Sequence, residues 1–269
     1  MTSATAQRAR SRMNRPSGAR MNLWRLEWLR LRRTPRALAL AAVFVFFGLL
    51  EPVLTRYQSQ IFRHVGNGVR ISFPPATPAQ GVSGYLGELN GTGLIVVVVI
   101  AAGAFTFDTR RGLAIFLRTR ITGLWQLIAP RFTVNAVAAA LAFVLGMIAA
   151  WYETDLLIGA PPAGRMLAGM LCGAVYLAYA VAVTAFAAAL VRGTLATAGT
   201  ALAVLLLLPI AGVYHPVSNW LPSALANAPA DLLGGTHQLA HYLPAFAVTV
   251  VVTGAALAGA VLRLRARET

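Results

Sequence analysis

The sequence contains no lysine, a single cysteine and only eight acidic residues in 269. Without lysine there is no phosphate-binding loop of the GxxxxGK(S/T) type and no Schiff-base amine. Any nucleotide energy used by that route must therefore come from a partner chain. The lone Cys172 excludes an internal disulfide, and its place in an apolar block makes it a small packing residue. HExxH, CxxC and GxSxG are also missing. Charged residues amount to 12% and apolar residues to 58%, so the net charge of +15 does not describe a soluble nucleic-acid-binding surface. It marks topology instead.

What is abundant is apolar sequence in blocks of about 20 residues, the length that spans a hydrocarbon core as a helix. Six such blocks run from Ala37 to Leu54, Leu89 to Phe107, Phe132 to Trp151, Met166 to Val191, Thr194 to Tyr214 and Leu243 to Leu262. They predict an all-α membrane protein with six transmembrane helices, a single domain over residues 22–269. The basic segment 1–21 ahead of it has no apolar core of a signal peptide and is expected to be disordered near anionic headgroups.

With six spans, nineteen of the twenty-three arginines fall on the side of the N-terminus or in the C-terminal tail. The opposite side holds only Arg56, Arg63, Arg70 and Arg165, with most of the acids on or near it. The positive-inside bias then makes both termini cytoplasmic.

The connections differ in character. LWRLEWLRLRR places Trp24, Trp28 and Leu31 on one helical stripe with Arg25 and Arg32 beside it, the pattern of a helix in the inner interface, ended by Thr34-Pro35. Thr55 to Glu88 is rich in Gly, Pro, Ser and Gln, so turns are expected there, with a short helix around Tyr57 to His64. Glu153 and Asp155 precede Pro161-Pro162 in a short connection, and Arg192-Gly193 alone separates two spans, which requires a tight hairpin. Tyr214 to Tyr242 is too apolar for a free loop and too interrupted for a span; short outer or re-entrant helices fit it. Gly169/Gly173 and Gly193/Thr197 offer small-residue spacing for close helix contact.

Ionisable groups are scarce in the spans. Glu51 and Asp108 approach the apolar blocks only at their ends, which speaks against an intramembrane proton relay. Glu51 suits either a pathway group or an interfacial carboxylate beside Arg56. His237 and His241, spaced by one helical turn with Asp231 and His215 nearby, fit either a metal site or a polar helix face. The stretch from Thr106 to Arg131 is the most distinctive. From Arg110 to Thr119 a helical wheel gathers Leu113, Phe116 and Leu117 opposite Arg111 and Arg118, which suits either a surface anchor or a helix that docks on a cytosolic subunit.

In these features the chain resembles a permease subunit of the bacterial type II ABC exporters, the class related to ABCG half-transporters. The elbow-like LWRLEWLRLRRTPRALAL with its Glu27, the six spans, and the outer stretch WLPSALANAPADLL carry the resemblance. So does a cytosolic segment reading Asp108, Arg111-Gly112, Leu113 to Leu117, Thr119-Arg120, Ile121-Thr122-Gly123 and Arg131. Leu113 stands where the family has threonine, Arg120 where it has proline, Gly123 where it has arginine and Arg131 where it has lysine.

The resemblance implies an N-terminal elbow helix, a cytosolic coupling helix between spans two and three, and re-entrant helices between spans five and six. It further implies pairing with a second permease subunit and two copies of a cytosolic ABC ATPase that binds ATP and Mg. This chain would itself hold no cofactor and would not be an enzyme. The ATPase-coupling residues would be Asp108, Arg111, Gly112, Leu113, Phe116, Leu117 and Arg118, with Glu27 supporting the elbow against them. The implied cargo is amphipathic, lipid-like, drug or peptide, and nucleic acid is not among the partners. The other function class is a non-transporting sensor, anchor or immunity protein that binds a peptide through its outer loops.

Overall fold

The structure is a computed structural model and describes residues 23–65, 75–106, 125–212 and 218–266. The expected disordered tail and the core of the basic stretch between spans two and three lie outside these residues.

All regular structure among the described residues is helical. Helix α1 is Leu23–Arg33, α2 Arg36–Val65, α3 Pro78–Glu88 and α4 Leu94–Phe105, the last two joined by a π turn at Leu89–Gly93. Then come α5 (Trp125–Leu157), α6 (Ala163–Leu190), α7 (Thr194–Ala211) and α8 (Ala224–Gly234). A 3-10 turn at Leu239–Tyr242 leads into α9, Leu243–Ala266. Five helical stretches are long and apolar enough to cross a membrane: Arg36–Gln60, Pro78–Phe105, Trp125–Leu157, Ala163–Leu190 and Leu239–Ala266. Thr194–Ile210 is apolar but shorter.

Several boundaries differ from the sequence reading. The helix entering the second span begins at Pro78, not Leu89. Thr77 caps it, accepting from Gln80 N at 3.4 Å while its own N–H donates to Gln80 Oε1 at 3.0 Å. Helix α2 continues unbroken past Leu54, so the helix expected around Tyr57 to His64 is its extension. Glu153 and Asp155 sit on the last turns of α5, not in a loop. Two breaks fall as predicted. Thr34-Pro35 separates α1 from α2, with the Thr34 hydroxyl donating to Arg30 O at 2.9 Å. Arg192-Gly193 closes the α6–α7 hairpin, where Gly193 adopts φ +92°.

The packing is that of a membrane bundle. Leu141, Leu145, Ile148 and Tyr152 of α5 and Leu167 and Leu171 of α6 face outward, while Ala, Gly and Cys172 fill the contacts between helices. Lipid tails are as apolar as leucine, so close approach of backbones holds such helices together. Helix α6 is the hub, with 67% of its apolar stretch buried, against 22% for α2 and 28% for α9. Gly173 lies against the Phe143 ring and Gly169 against Pro229 of α8, so the Gly169/Gly173 pair does serve two close contacts.

The tightest crossing joins α2, α3 and α5. A side chain at Gly48 would overlap the Gly146 carbonyl, and one at Gly146 would overlap Phe44 O and the Tyr85 hydroxyl. That hydroxyl donates to Phe143 O at 2.8 Å, and the Tyr85 and Phe143 rings stack at 5.9 Å with Phe44 edge-on to both. Buried Thr184 and Thr249 donate to the carbonyls of Ala180 and Ala245 in their own helices, at 2.8 and 2.6 Å. Gly146→Val should therefore cost roughly 1–3 kcal/mol by overpacking. Tyr85→Phe should cost about 1 kcal/mol through the lost hydrogen bond. Thermal melting of both variants in detergent checks the order, with Gly146→Val the lower.

Candidate functional site

The site begins with the one acid on α1. Helical spacing puts Leu23, Glu27 and Leu31 on the face turned to the bundle, leaving Trp24, Trp28, Leu26 and Leu29 exposed. Glu27 is buried, and Arg131 in the second turn of α5 donates from Nε to Glu27 Oε1 at 2.9 Å. Arg30 Nη1 stands 3.8 Å from the same oxygen. Both partners of the main pair are nearly inaccessible, at 3% and 8% of their side-chain surface. A charge-assisted bond in such surroundings is short and directional. Next to it, Asn135 donates to Arg131 O at 2.8 Å and holds that turn of α5. The pair thus fastens α1 to the start of α5, at the end of the stretch from Thr106 to Arg131. At the beginning of that stretch the Thr106 and Thr194 hydroxyls meet at 2.8 Å, tying the end of α4 to the start of α7.

Of the residues read as coupling residues, the structure therefore brings Glu27 into a defined contact. Asp108, Arg111, Gly112, Leu113, Phe116, Leu117 and Arg118 lie outside the described residues. The partner Arg131 was not foreseen as such. The signal was there: an arginine at the entrance of an apolar span needs an acid, and few acids were on offer.

Glu51 is half-buried in α2 and packs against Gly84 of α3. Beyond it, Ser83, Gly87, Gly91 and Thr92 form an exposed small and polar face on α3 and the π turn, where Gly91 leaves helical geometry at φ −98°, ψ −106°. This face was missed because the segment was read as loop.

At the opposite end from Glu27, α8 packs on α6 and α3, and Asn90 donates to Asn227 at 3.4 Å. Gly235 at φ +76° ends α8, with Thr236 N–H donating to Asp231 O at 3.1 Å. The Tyr242 hydroxyl donates to Asp231 Oδ2 at 2.8 Å. A cavity of about 190 Å³ opens there, lined in part by Asn227, Asp231, His237 and His241. His237 precedes the 3-10 turn instead of sharing a helix with His241, and the two rings stack at 4.2 Å and 5°. The two rings therefore lie face to face in nearly parallel planes. No group of three His, Cys, Asp or Glu able to hold a metal occurs among the described residues. His215 lies outside them.

Five helical stretches long and apolar enough to cross a bilayer, with large aliphatic side chains exposed along them, define a multi-pass membrane protein. The chain is similar to the uncharacterized transmembrane protein YxlG of Bacillus subtilis (strain 168), at 21% identity over 217 residues. The match covers 79% of this chain and 84% of that protein. No family model matches the sequence, and no solved structure matches it.

Breaking one side of a buried pair leaves a bare charge, at a cost of roughly 3–5 kcal/mol. Glu27→Gln and Arg131→Gln should each lower the melting temperature in detergent, and the double variant should be less destabilised than the sum of the two. Additive losses in that double-mutant cycle would mean the two groups do not interact.

Proposed function

We propose that the chain is the permease subunit of an ATP-driven exporter of the ABCG-like type II class, in a bacterial plasma membrane with both termini cytoplasmic. It would act with a second permease subunit and two copies of a separate ATPase that binds ATP and Mg. The observation that carries this reading is the Glu27–Arg131 pair. It joins an amphipathic N-terminal helix to the span that follows the basic stretch, so a push on that stretch is delivered to α1 and α5 together. A membrane anchor has no need of such a joint.

The remaining features support the same reading. Helix α7, at 18 residues and about 27 Å, would be the sixth crossing. An even count puts both termini on the arginine-rich side. Helix α8 and the 3-10 turn would be the outer re-entrant pair. The small, polar face of α3 and the π turn, with Glu51 near it, would line part of the outward path for an amphipathic or lipid-like cargo. The absence of lysine leaves hydrolysis to the partner.

The second reading, a non-transporting protein that binds a peptide at its outer face, is favoured by the 190 Å³ cavity. It requires no ATPase.

Two experiments bear on the permease reading. Phe116→Asp with Leu117→Asp should abolish co-purification of an ATPase from native membranes while leaving the permease folded in the membrane; retained ATPase would overturn the docking role. In a Cys172→Ala background, Arg192→Cys should react with an impermeant maleimide only from the cytosolic side and Gly234→Cys only from the outside. The same side for both would remove the six-span topology.

A further inference from the structure

A guanidinium set among apolar helices needs an opposite charge, and Arg36 finds none among the described residues. The side chain leaves the first turn of α2 and crosses to α4, where a methyl group added to Gly103 would lie 3.5 Å from Nη2 and 3.7 Å from Cζ. Beside it is a narrow cleft lined by Leu31, Leu40, Val97, Ile100, Ala101 and Asn135. The polar lining group there, Asn135, donates its amide N–H to Arg131 O and carries no charge to offer Arg36. Among the described residues Arg36 makes no hydrogen bond or ion pair, although it is half-buried.

Its level and its neighbours indicate what supplies the charge. Gly103 lies one turn before Thr106, where α4 ends, so the guanidinium sits just inside the boundary of the apolar layer. The exposed Trp24 and Trp28 of α1 are interfacial side chains, and Arg32 and Arg33 are exposed close by in sequence. On this side of the bundle the described residues carry nine arginines and one acid, Glu27, which Arg131 occupies. None of the described carboxylates is left for Arg36 there. A lipid phosphate at the headgroup boundary matches in charge, depth and geometry, since a guanidinium fork binds phosphate through two parallel hydrogen bonds.

We propose that Arg36, laid on Gly103, binds the phosphate of an anionic phospholipid of the inner leaflet. The bound lipid neutralises the elbow end of the bundle and serves as a bearing between α1, α2 and α4. The leaflet named here rests on the orientation proposed above; the binding itself does not, and is read in detergent where orientation plays no part.

The test is native mass spectrometry of the full chain in detergent, offered phosphatidylglycerol or phosphatidylcholine in equal amounts. The wild type should retain phosphatidylglycerol about five-fold over phosphatidylcholine, the preference that one arginine at an anionic surface confers. Arg36→Gln should fall to parity. So should Gly103→Val, which keeps the charge but evicts the guanidinium from its seat, and either folded variant suffices. Arg192→Gln, in the exposed hairpin, should keep the preference, and excess inorganic phosphate should not displace the lipid. The proposal is overturned if Arg36→Gln or Gly103→Val binds as the wild type does. It is equally overturned if Arg192→Gln loses as much, which means diffuse attraction, or if inorganic phosphate competes.

Discussion

A buried carboxylate on a short amphipathic helix has few places to go, and the rest of this bundle is arranged around the one it takes. Glu27 is kept from water by Leu23 and Leu31 on the same face, and the 2.9 Å bond to Arg131 offsets the desolvation of both groups. That contact sets α1 against α5. Because Thr34-Pro35 turns the chain at once into α2, the same contact brings the start of α2 alongside α5. About one turn beyond Phe44, Gly48 then meets Gly146, where nothing larger fits. The ion pair holds α1 to the start of α5, and the glycine crossing holds α2 to the same helix farther along.

The rest of the bundle follows the logic of a chain without a hydrophobic drive between its helices. Helix α6 can sit at the centre because Gly169, Cys172, Gly173 and several alanines are among its buried positions, so α4, α5, α7, α8 and α9 all reach it. Several polar groups carried inside are matched: the Tyr85 hydroxyl with Phe143 O, Tyr242 with Asp231, the buried Thr184 and Thr249 with their own helices. At one end α1 leaves its tryptophans and most of its arginines exposed. At the other, α8 and the 3-10 turn cover the bundle and enclose a small polar cavity.

Much of this was legible in the sequence, and the failures have physical causes. Helical class and the breaks at Thr34-Pro35 and Arg192-Gly193 could be read from residue types whose local effects are strong. The start of α3 was not, because Gly81, Gly84 and Gly87 read as loop punctuation. In the bundle two of them are contact residues, Gly81 against Thr154 and Gly84 against Glu51, and packing outweighs poor helix propensity. The Thr77-Pro78-Ala79-Gln80 capping box was the available signal. Spacing alone could not tell that His237 and His241 stack. Nor could it reveal that Arg131, 104 residues from Glu27, would be its partner, since sequence patterns report neighbours along a helix and not across a bundle.

The central claim is that this chain converts hydrolysis carried out elsewhere into movement of α1 and α5. The most direct measurement is Mg-ATP hydrolysis by the material that co-purifies with the tagged chain from its native membrane. The account expects a P-loop ATPase in stoichiometric amount, with hydrolysis that survives in lipid nanodiscs and loses its dependence on added cargo when Glu27 is replaced by Gln. A well-folded chain that emerges with no ATPase and no hydrolysis would contradict it.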